Sequence, residues 1–242
     1  MKIAYSILIA ITAFTGSTKK GIDQTKPVAI KTNNMDTTVK VANKTLNYLA
    51  LGDSYTIGES VPADQSYPNL LESELTAQKH LVNSPTVIAV TGWTTDDLIN
   101  AISQSGLTGK KFDFVTLLIG VNDQYQQLSQ DNYKTKFQQV LNTAINFAGG
   151  NKSHVFVLSI PDWGVTPFGA GRDNIIGPQI DQFNAINKQI STTAEVNYLD
   201  ITAISRWAAK DPALVAADGL HPSAKMYRLW VKLLKPMVAE KL

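Results

Sequence analysis

From residue 47 onward, short apolar segments alternate along this sequence with longer segments of helical periodicity. Several of the short segments are rich in β-branched residues and apolar on both faces, which is typical of strands buried in a parallel sheet. Strands that alternate with helices predict right-handed βαβ crossovers and a three-layer α/β/α domain with about five parallel strands. The predicted strands cover residues 47–51, 86–90, 114–119, 154–160 and 196–200.

The predicted helices come from apolar side chains that recur at a spacing of three or four residues. The clearest example is the apolar stripe between Met226 and Met237 near the C-terminus. Ligands of such domains bind beyond the carboxyl ends of the strands, so the polar residues that follow each strand are the first candidates for a functional site. The remaining predicted helices cover residues 67–78, 95–104, 132–147 and 179–193.

Residues 1–17 predict an export signal. Lys2 provides a positive charge, residues 3–14 form a nearly unbroken apolar run, and small residues follow. A run of this length fits a signal peptide and is shorter than the ~18 residues that a membrane-spanning helix needs. We therefore expect an exported protein, periplasmic or extracellular, without a stable membrane anchor. An uncleaved anchor or a buried strand is the alternative interpretation.

The next segment, residues 18–44, is polar and has no regular pattern. It contains too few large apolar side chains to form a core, so we expect a flexible linker. The apolar cluster at residues 28–30 is its one candidate for an added edge strand. Residues 45–242 then form a single folded domain, because their number lies within the usual range for one domain.

Charge and composition exclude several classes of function. The formal net charge is only +2 and no long run of basic residues occurs, so the sequence shows no electrostatic footprint for a nucleic-acid partner. The absence of cysteine excludes disulfides, cysteine-based metal sites and a thiol nucleophile. The chain has only three histidines, which argues against a polyhistidine metal site. We predict neither a metal nor a cofactor.

Four polar blocks follow predicted strands or precede the last helix. The blocks are Gly52-Asp53-Ser54-Tyr55-Thr56-Ile57-Gly58-Glu59, Thr91-Gly92-Trp93, Gly120-Val121-Asn122-Asp123 and Asp218-Gly219-Leu220-His221-Pro222. In order and position they resemble the blocks of the GDSL or SGNH hydrolase family, and they span nearly the whole predicted domain. The resemblance implies a flavodoxin-like sheet that carries a serine esterase site. Its implied functional residues are Ser54, Gly92, Asn122 and His221, which give the family its name, and Asp218, the third member of the triad.

The residues themselves also indicate a nucleophile and a base. Ser54 lies between a buried strand and a helix, whose N-terminus offers N–H groups to an anion, although a helix N-cap is an equally good interpretation of this serine. A serine hydroxyl needs a nearby base. His80 and His154 precede strands and are expected at the opposite end of the sheet, which leaves His221. Asp218, three residues earlier on a turn, is close enough to bind the imidazole N–H, unless both belong to a solvated turn.

An oxyanion hole needs donors aimed at the developing negative charge. We predict three, the backbone N–H of Ser54, the backbone N–H of Gly92 and the side-chain amide of Asn122. Gly92 has no Cβ, so its backbone can approach a substrate closely. An ordinary loop glycine and an Asx turn are the alternatives for Gly92 and Asn122. For the neighbouring Asp123 we expect a structural role in orienting its loop.

The substrate is less well defined by the sequence. Tyr55 and Trp93 flank the predicted catalytic residues, and Trp163 lies in a long aromatic loop after the fourth strand. Aromatic faces suit a sugar ring or an acyl group, but simple packing explains them equally well. The family resemblance implies acetylesterases of carbohydrates, lipases, thioesterases and lysophospholipases alike, and the fold does not select among them. Because no extended apolar segment resembles a lipase lid, we favour short acyl esters, with acetyl groups on polysaccharide first.

Two functions of other classes stay open. One is a catalytically silent domain of the same fold that binds carbohydrate, against which the complete set of Ser54, His221 and Asp218 argues. The other is a flavodoxin-like FMN-binding protein. The first loop weakens that second interpretation, because it offers a serine, an aspartate and a glutamate where a phosphate needs many donors.

Overall fold

The computed structural model describes residues 44–242. Within that range, five strands form one parallel sheet in the order β2-β1-β3-β4-β5. This order and the helices on both faces confirm the predicted three-layer α/β/α, flavodoxin-like architecture. The predicted export signal, nearly all of the predicted linker and the candidate strand at 28–30 lie outside the described residues. The strands are β1 (Tyr48–Gly52), β2 (Thr86–Ala89), β3 (Phe114–Leu118), β4 (Val155–Leu158) and β5 (Asn197–Leu199).

Burial of the central strands explains why their sequences are apolar on both faces. Every residue of β1, β3 and β4 is buried. In the register of the sheet, Leu51 of β1 lies between Ile88 of β2 and Leu117 of β3. Alternation of polar and apolar residues would place polar side chains in one of the two helical layers, so a near-continuous apolar run is required.

The helices form two layers that cover the sheet. One layer contains α2 packed on α8, and in the other α3, α5 and α6 pack in succession. Right-handed crossovers between parallel strands produce this division. No helix within residues 44–242 is both long and apolar enough to cross a membrane. The helices are α1 (Ser54–Ile57), α2 (Tyr67–Ala77), α3 (Thr95–Gln104), α4 (Val121–Tyr125), α5 (Gln130–Phe147), α6 (Asp173–Thr193), α7 (Thr202–Ser205) and α8 (Ala224–Ala239).

Most predicted boundaries agree with the observed ones to within two residues, but α6 begins six residues earlier than predicted, at Asp173 instead of 179. The prediction started this helix after Pro178, which the structure places inside it. Ile176 and Ile180 in this first part of α6 are buried, and the helix packs there on the turn that contains Trp163. Burial of apolar surface therefore outweighs the cost of the proline.

The strand order reverses direction between β1 and β3. The chain goes from β1 outward to β2 and then crosses back to β3 on the other side of β1. Helices that leave neighbouring strands on opposite faces open a crevice at the carboxyl ends of those strands. The loops after β1 and β3, which carry Ser54 and Asn122, begin at this crevice.

Candidate active site

Ser54 is the first residue of α1, immediately after the sharp turn that ends β1. The N-cap of α1 is Asp53, whose Oδ1 accepts a hydrogen bond from the backbone N–H of Tyr55 at 3.0 Å. The helix therefore does not need the Ser54 hydroxyl as a cap. A Cβ at Gly52 would overlap Thr56 and the backbone of β3, so the tight passage from β1 into α1 requires glycine there.

His221 and Asp218 form a hydrogen-bonded pair. The Nδ1 of His221 lies 2.5 Å from Oδ2 of Asp218. The other carboxylate oxygen, Oδ1, accepts from the backbone N–H groups of Leu220 and His221 at 2.9 and 3.0 Å. Gly219 permits this turn, because its φ is +74°. The carboxylate and the imidazole are thus fixed by the loop that carries both of them.

Backbone pairing holds the ends of this loop together. Val215 and Pro222 form an antiparallel bridge, and the N–H of Ala216 donates to the carbonyl of His221 at 2.7 Å. The helix α8 starts only after Pro222, with Ser223 as its N-cap. His221 is therefore anchored by its own backbone bond to Ala216 and by the bridged Pro222 and capped helix that follow it, and only 10% of its side chain is exposed.

The environment of Asp218 favours its ionised form. Partial burial raises the pKa of Asp218, but hydrogen bonds from Ser60, from the His221 ring and from two backbone N–H groups outweigh this effect and place the pKa well below its ordinary value. Donors that bind a carboxylate stabilise its charge. An ionised Asp218 can hold the proton of His221 on Nδ1 and leave Nε2 as the acceptor.

One cavity of about 210 Å³ brings most of the predicted site residues together. Ser54, Asn122 and His221 all line it, and Asp218 lies behind His221. The sequence predicted this association across more than 160 residues of chain. The full lining consists of Ser54, Tyr55, Val121, Asn122, Tyr125, Trp163, Phe168, Leu220 and His221.

Gly92 and Trp93 lie beside this cavity and not in its lining. Gly92 has a φ of +83° and occupies a turn closed by a hydrogen bond from Trp93 N–H to the Val90 carbonyl. The Nδ2 of Asn122 donates to the backbone carbonyl of Trp93 at 2.9 Å. This bond joins the turn after β2 to the loop after β3. It uses one N–H of the amide and leaves the second for a ligand.

Two buried aspartates support the loops around the site. Asp123 accepts from the backbone N–H and the hydroxyl of Thr95 at 2.9 and 3.0 Å, which ties its loop to the start of α3. Burial raises the pKa of Asp53 to about 8, and the charge of Asp123 adds to this effect. The Oδ2 of Asp53 is buried without a hydrogen-bond partner, so this carboxyl is stable only in its neutral form near neutral pH.

The aromatic residues at the cavity differ from the expected set. Trp163 and Tyr55, two of the three predicted substrate contacts, line the cavity, but both are buried, at 4% and 3% exposure. The indole N–H of Trp163 donates to Gln124 at 2.8 Å, and the Tyr55 ring packs edge-on against His221. The exposed aromatic rings are those of Tyr125 and Phe168, at 51% and 47%. Neither residue was among the substrate contacts predicted from the sequence.

A signal for these two residues was nonetheless present. Tyr125 lies on α4, three residues after Asn122, and Phe168 lies in the aromatic loop after β4.

The rings of Tyr125 and Phe168 form a cluster with Trp163. Their ring centroids are 6.4 Å apart, and both rings contact Trp163. The guanidinium of Arg172 lies 4.9 Å from the Trp163 centroid and donates to the Phe168 carbonyl. The three rings form one cluster, which we call the aromatic rim (Tyr125, Trp163 and Phe168).

The other two histidines lie at the end of the sheet opposite the cavity, as expected from their positions before strands. His154 immediately precedes β4, and its Nδ1 is 2.6 Å from the carbonyl of Asp113, just before β3. His80 follows α2 and lies two residues before Val82, which bridges Leu46 near the start of β1. Within residues 44–242, no group of three or more His, Cys, Asp or Glu side chains could hold a metal ion.

Comparison with known proteins identifies similar sequences and folds. Residues 50–229 match the model of the GDSL-like lipase/acylhydrolase family. A lipase/acylhydrolase from Enterococcus faecalis superimposes with a TM-score of 0.65 and 20% identity, over 82% of this chain and 97% of the other. The acetylxylan esterase Axe2 from Geobacillus stearothermophilus superimposes with a TM-score of 0.62 and 19% identity, over 80% and 94%.

A third similar structure is the psychrotrophic esterase EstA from Pseudoalteromonas sp., with a TM-score of 0.62, 15% identity, and 81% and 97% of the two chains covered. A search of curated proteins found no match. At these identities the structural similarities show the fold alone. The match to the family model covers residues 50–229, which is most of the described domain.

Proposed function

The chain belongs to the GDSL-like lipase/acylhydrolase family and is an enzyme that hydrolyses esters, and we propose that it acts on short-chain esters, acetyl esters of carbohydrates first among them, through Ser54, His221 and Asp218. The observation that carries the proposed mechanism is the 2.5 Å contact between Asp218 and His221, at a cavity that Ser54 also lines. A protein that only binds carbohydrate has no need of a nucleophile with an oriented base.

In the proposed mechanism, His221 acts first as a base and then as an acid. With the Nδ1 proton held by Asp218, the Nε2 of His221 accepts the proton of Ser54 as Oγ attacks the ester carbonyl. The same Nε2 then returns this proton to the leaving alcohol, which leaves an acyl group on Ser54. His221 then deprotonates a water molecule, whose oxygen attacks the acyl carbon. The bond between this carbon and Oγ breaks, His221 returns the proton to Oγ, and the acid is released with Ser54 regenerated.

Three donors are proposed to stabilise the oxyanion. The N–H of Ser54 belongs to the first turn of α1, whose N–H groups have no partner inside the helix. Asn122 offers the amide N–H that Trp93 does not use. The N–H of Gly92 is the third donor, and its turn is tied to Asn122 through the adjacent Trp93 carbonyl. Such donors act mainly on the charge that develops in the transition state.

The size and chemistry of the cavity support short acyl groups. Its volume of about 210 Å³ is below the ~300–1,000 Å³ of typical ligand pockets, so a long acyl chain would remain partly in water. Each CH₂ left in water forgoes ~0.8 kcal/mol of transfer free energy. The exposed rings of Tyr125 and Phe168 at the mouth offer flat apolar faces that suit a sugar on the alcohol side of the ester.

An acyl-length series tests this proposal. We expect kcat/KM of the full-length protein to fall from p-nitrophenyl acetate and butyrate to the octanoate, and acetate to be released from acetylated xylooligosaccharides. Ser54→Ala serves as the control for background hydrolysis. A preference for octanoate or for acyl thioesters would replace the proposal with a lipase or thioesterase function. Carbohydrate binding without hydrolysis of any ester would indicate the catalytically silent alternative.

We also propose that the protein is exported, on the basis of the apolar run and the preceding Lys2 in residues 1–17. Cell fractionation of an expressing bacterium, followed by N-terminal sequencing of the mature chain, tests this. Export predicts a new N-terminus near residue 17 and a location outside the cytoplasm. An intact N-terminus on cytoplasmic protein would contradict it.

A further inference from the structure

A short segment after the nucleophile, residues 58–60, contacts several parts of the site. The N–H groups of Gly58 and Glu59 donate to the carbonyl of Ser54 at 3.1 and 3.0 Å and close α1. The hydroxyl of Thr91, next to Gly92, donates to the Glu59 carboxylate. We call this segment the α1 turn. It connects the nucleophile to the turn that carries Gly92.

The third residue of the α1 turn reaches the acid of the proposed triad. The Oγ of Ser60 donates to Oδ2 of Asp218 at 2.6 Å, across 158 residues of sequence. Oδ2 is the same oxygen that lies 2.5 Å from Nδ1 of His221. The hydroxyl thus restrains the one carboxylate oxygen that orients the imidazole. The backbone N–H groups restrain only the other oxygen.

The backbone of Ser60 is unfavourable for its residue type. Its φ is +64°, in the left-handed region, where residues other than glycine, and to a lesser degree asparagine, are uncommon. Glycine would adopt this conformation without strain. A serine in this conformation is therefore destabilising relative to glycine. Its side chain makes the hydrogen bond to Asp218, which glycine could not make.

We propose that Ser60 is a positioning residue, which holds the carboxylate of Asp218 against His221 from the same turn that closes the nucleophile helix. This rests on the proposed roles of Asp218 and His221. The hydroxyl acts through the carboxylate and does not touch the substrate. Its loss leaves substrate binding intact and lets Asp218 rotate away from the orientation in which it supports the imidazolium.

Two substitutions at Ser60 separate an effect on catalysis from an effect on stability, because one should lower kcat without lowering Tm and the other should lower Tm while retaining most of kcat. Ser60→Gly removes the hydroxyl but relaxes the backbone. We expect kcat to fall about tenfold, because this is the rate equivalent of one hydrogen bond to a charged group. KM should be unchanged and thermal stability should not decrease. Ser60→Thr keeps the hydroxyl on a β-branched residue, so it should retain most of kcat and lower Tm. Lys79→Gly, at an exposed residue with a φ of +73°, is the matched control for relaxing a backbone far from the site.

A double-mutant cycle with Asp218→Ala completes the test. If Ser60 acts through Asp218, Ser60→Gly should have no further effect on kcat once Asp218 is alanine. A normal kcat in Ser60→Gly, or a full additional loss in the Asp218→Ala background, would overturn the positioning role. A normal kcat in Asp218→Ala alone would instead show that the proposed triad is wrong, so failure of the two proposals can be told apart.

Discussion

The amide Nδ2 of Asn122 donates to the backbone carbonyl of Trp93 at 2.9 Å. This bond links the loops that follow two strands on either side of β1, the strand that leads to Ser54. It fixes the plane of the Asn122 amide and the position of the turn that carries Gly92. Two of the proposed oxyanion donors are therefore held by a direct contact between their own loops.

Loss of the Asn122 amide should reduce turnover. We expect Asn122→Ala to lower kcat by ~10²–10³, as removal of one oxyanion donor does elsewhere, with little change in KM, because the donor binds the developing oxyanion better than the ground-state carbonyl. Steady-state kinetics with p-nitrophenyl acetate measure both constants. Asn142→Ala on the exposed side of α5 is the control. An unchanged kcat with a raised KM would assign Asn122 to substrate binding.

Only one histidine should matter for catalysis. His221→Ala should remove activity, whereas His80→Ala and His154→Ala should change kcat by less than about threefold, because the sheet separates them from the cavity. Loss of turnover in a correctly folded His80→Ala or His154→Ala protein would contradict the assignment of the base.

The aromatic rim should determine the alcohol part of the substrate. Tyr125→Ala and Phe168→Ala remove exposed rings at the cavity mouth, so we expect kcat/KM for acetylated xylooligosaccharides to fall about tenfold, and that for p-nitrophenyl acetate to fall much less. Trp207→Ala is a matched control, because Trp207 is 55% exposed and does not line the cavity. Equal losses on both substrates would show that the rim has no role in recognising the sugar.

Trp163 needs a separate prediction, because it is buried. Trp163→Ala should destabilise the fold by ~3–5 kcal/mol, as large-to-small changes in a core do, and should also leave the Gln124 side chain without its indole partner. Thermal unfolding measures this. A Tm within about 2 °C of the parent would contradict the packing role.

The buried Asp53 should make stability decrease as pH rises. Burial raises the pKa of Asp53 from 3.8 to about 8, so between these values the native state binds more protons than the unfolded state, and the free energy of unfolding falls with pH. Asp53→Asn keeps the acceptor for Tyr55 N–H and removes the titration. We expect the Tm of Asp53→Asn relative to the parent to rise by at least ~4 °C from pH 5 to pH 8. A constant difference would show that Asp53 is ionised throughout.

The sheet and most helix boundaries could be predicted because burial on both faces leaves a periodic pattern in β1, β3 and β4. The start of α6 could not, since local rules end or begin a helix at Pro178, whereas packing of Ile176 decides the outcome. Local sequence also does not show whether an aromatic residue is buried. Trp163 and Tyr125 look alike in the sequence, but one is 4% and the other 51% exposed.

Within the candidate site, the sequence indicated the residues that are proposed to act on the substrate. It did not indicate the residues that hold these side chains in position. Ser54, Asn122 and His221 each follow a strand or precede a helix within a recognisable block, and the structure brings them to one cavity. Ser60 lies outside these blocks. Its bond to Asp218 depends on a turn conformation and on a contact with a distant loop, neither of which leaves a periodic signal.

The most direct test of the account is covalent labelling of the nucleophile. A fluorophosphonate reacts with a serine only when a base and an oxyanion hole activate it. After reaction of the full-length protein and proteolysis, mass spectrometry should find the label on Ser54 alone, with parallel loss of esterase activity and no labelling in Ser54→Ala or His221→Ala. Labelling of another serine, or full labelling of Ser54 in the His221→Ala protein, would contradict the proposed mechanism.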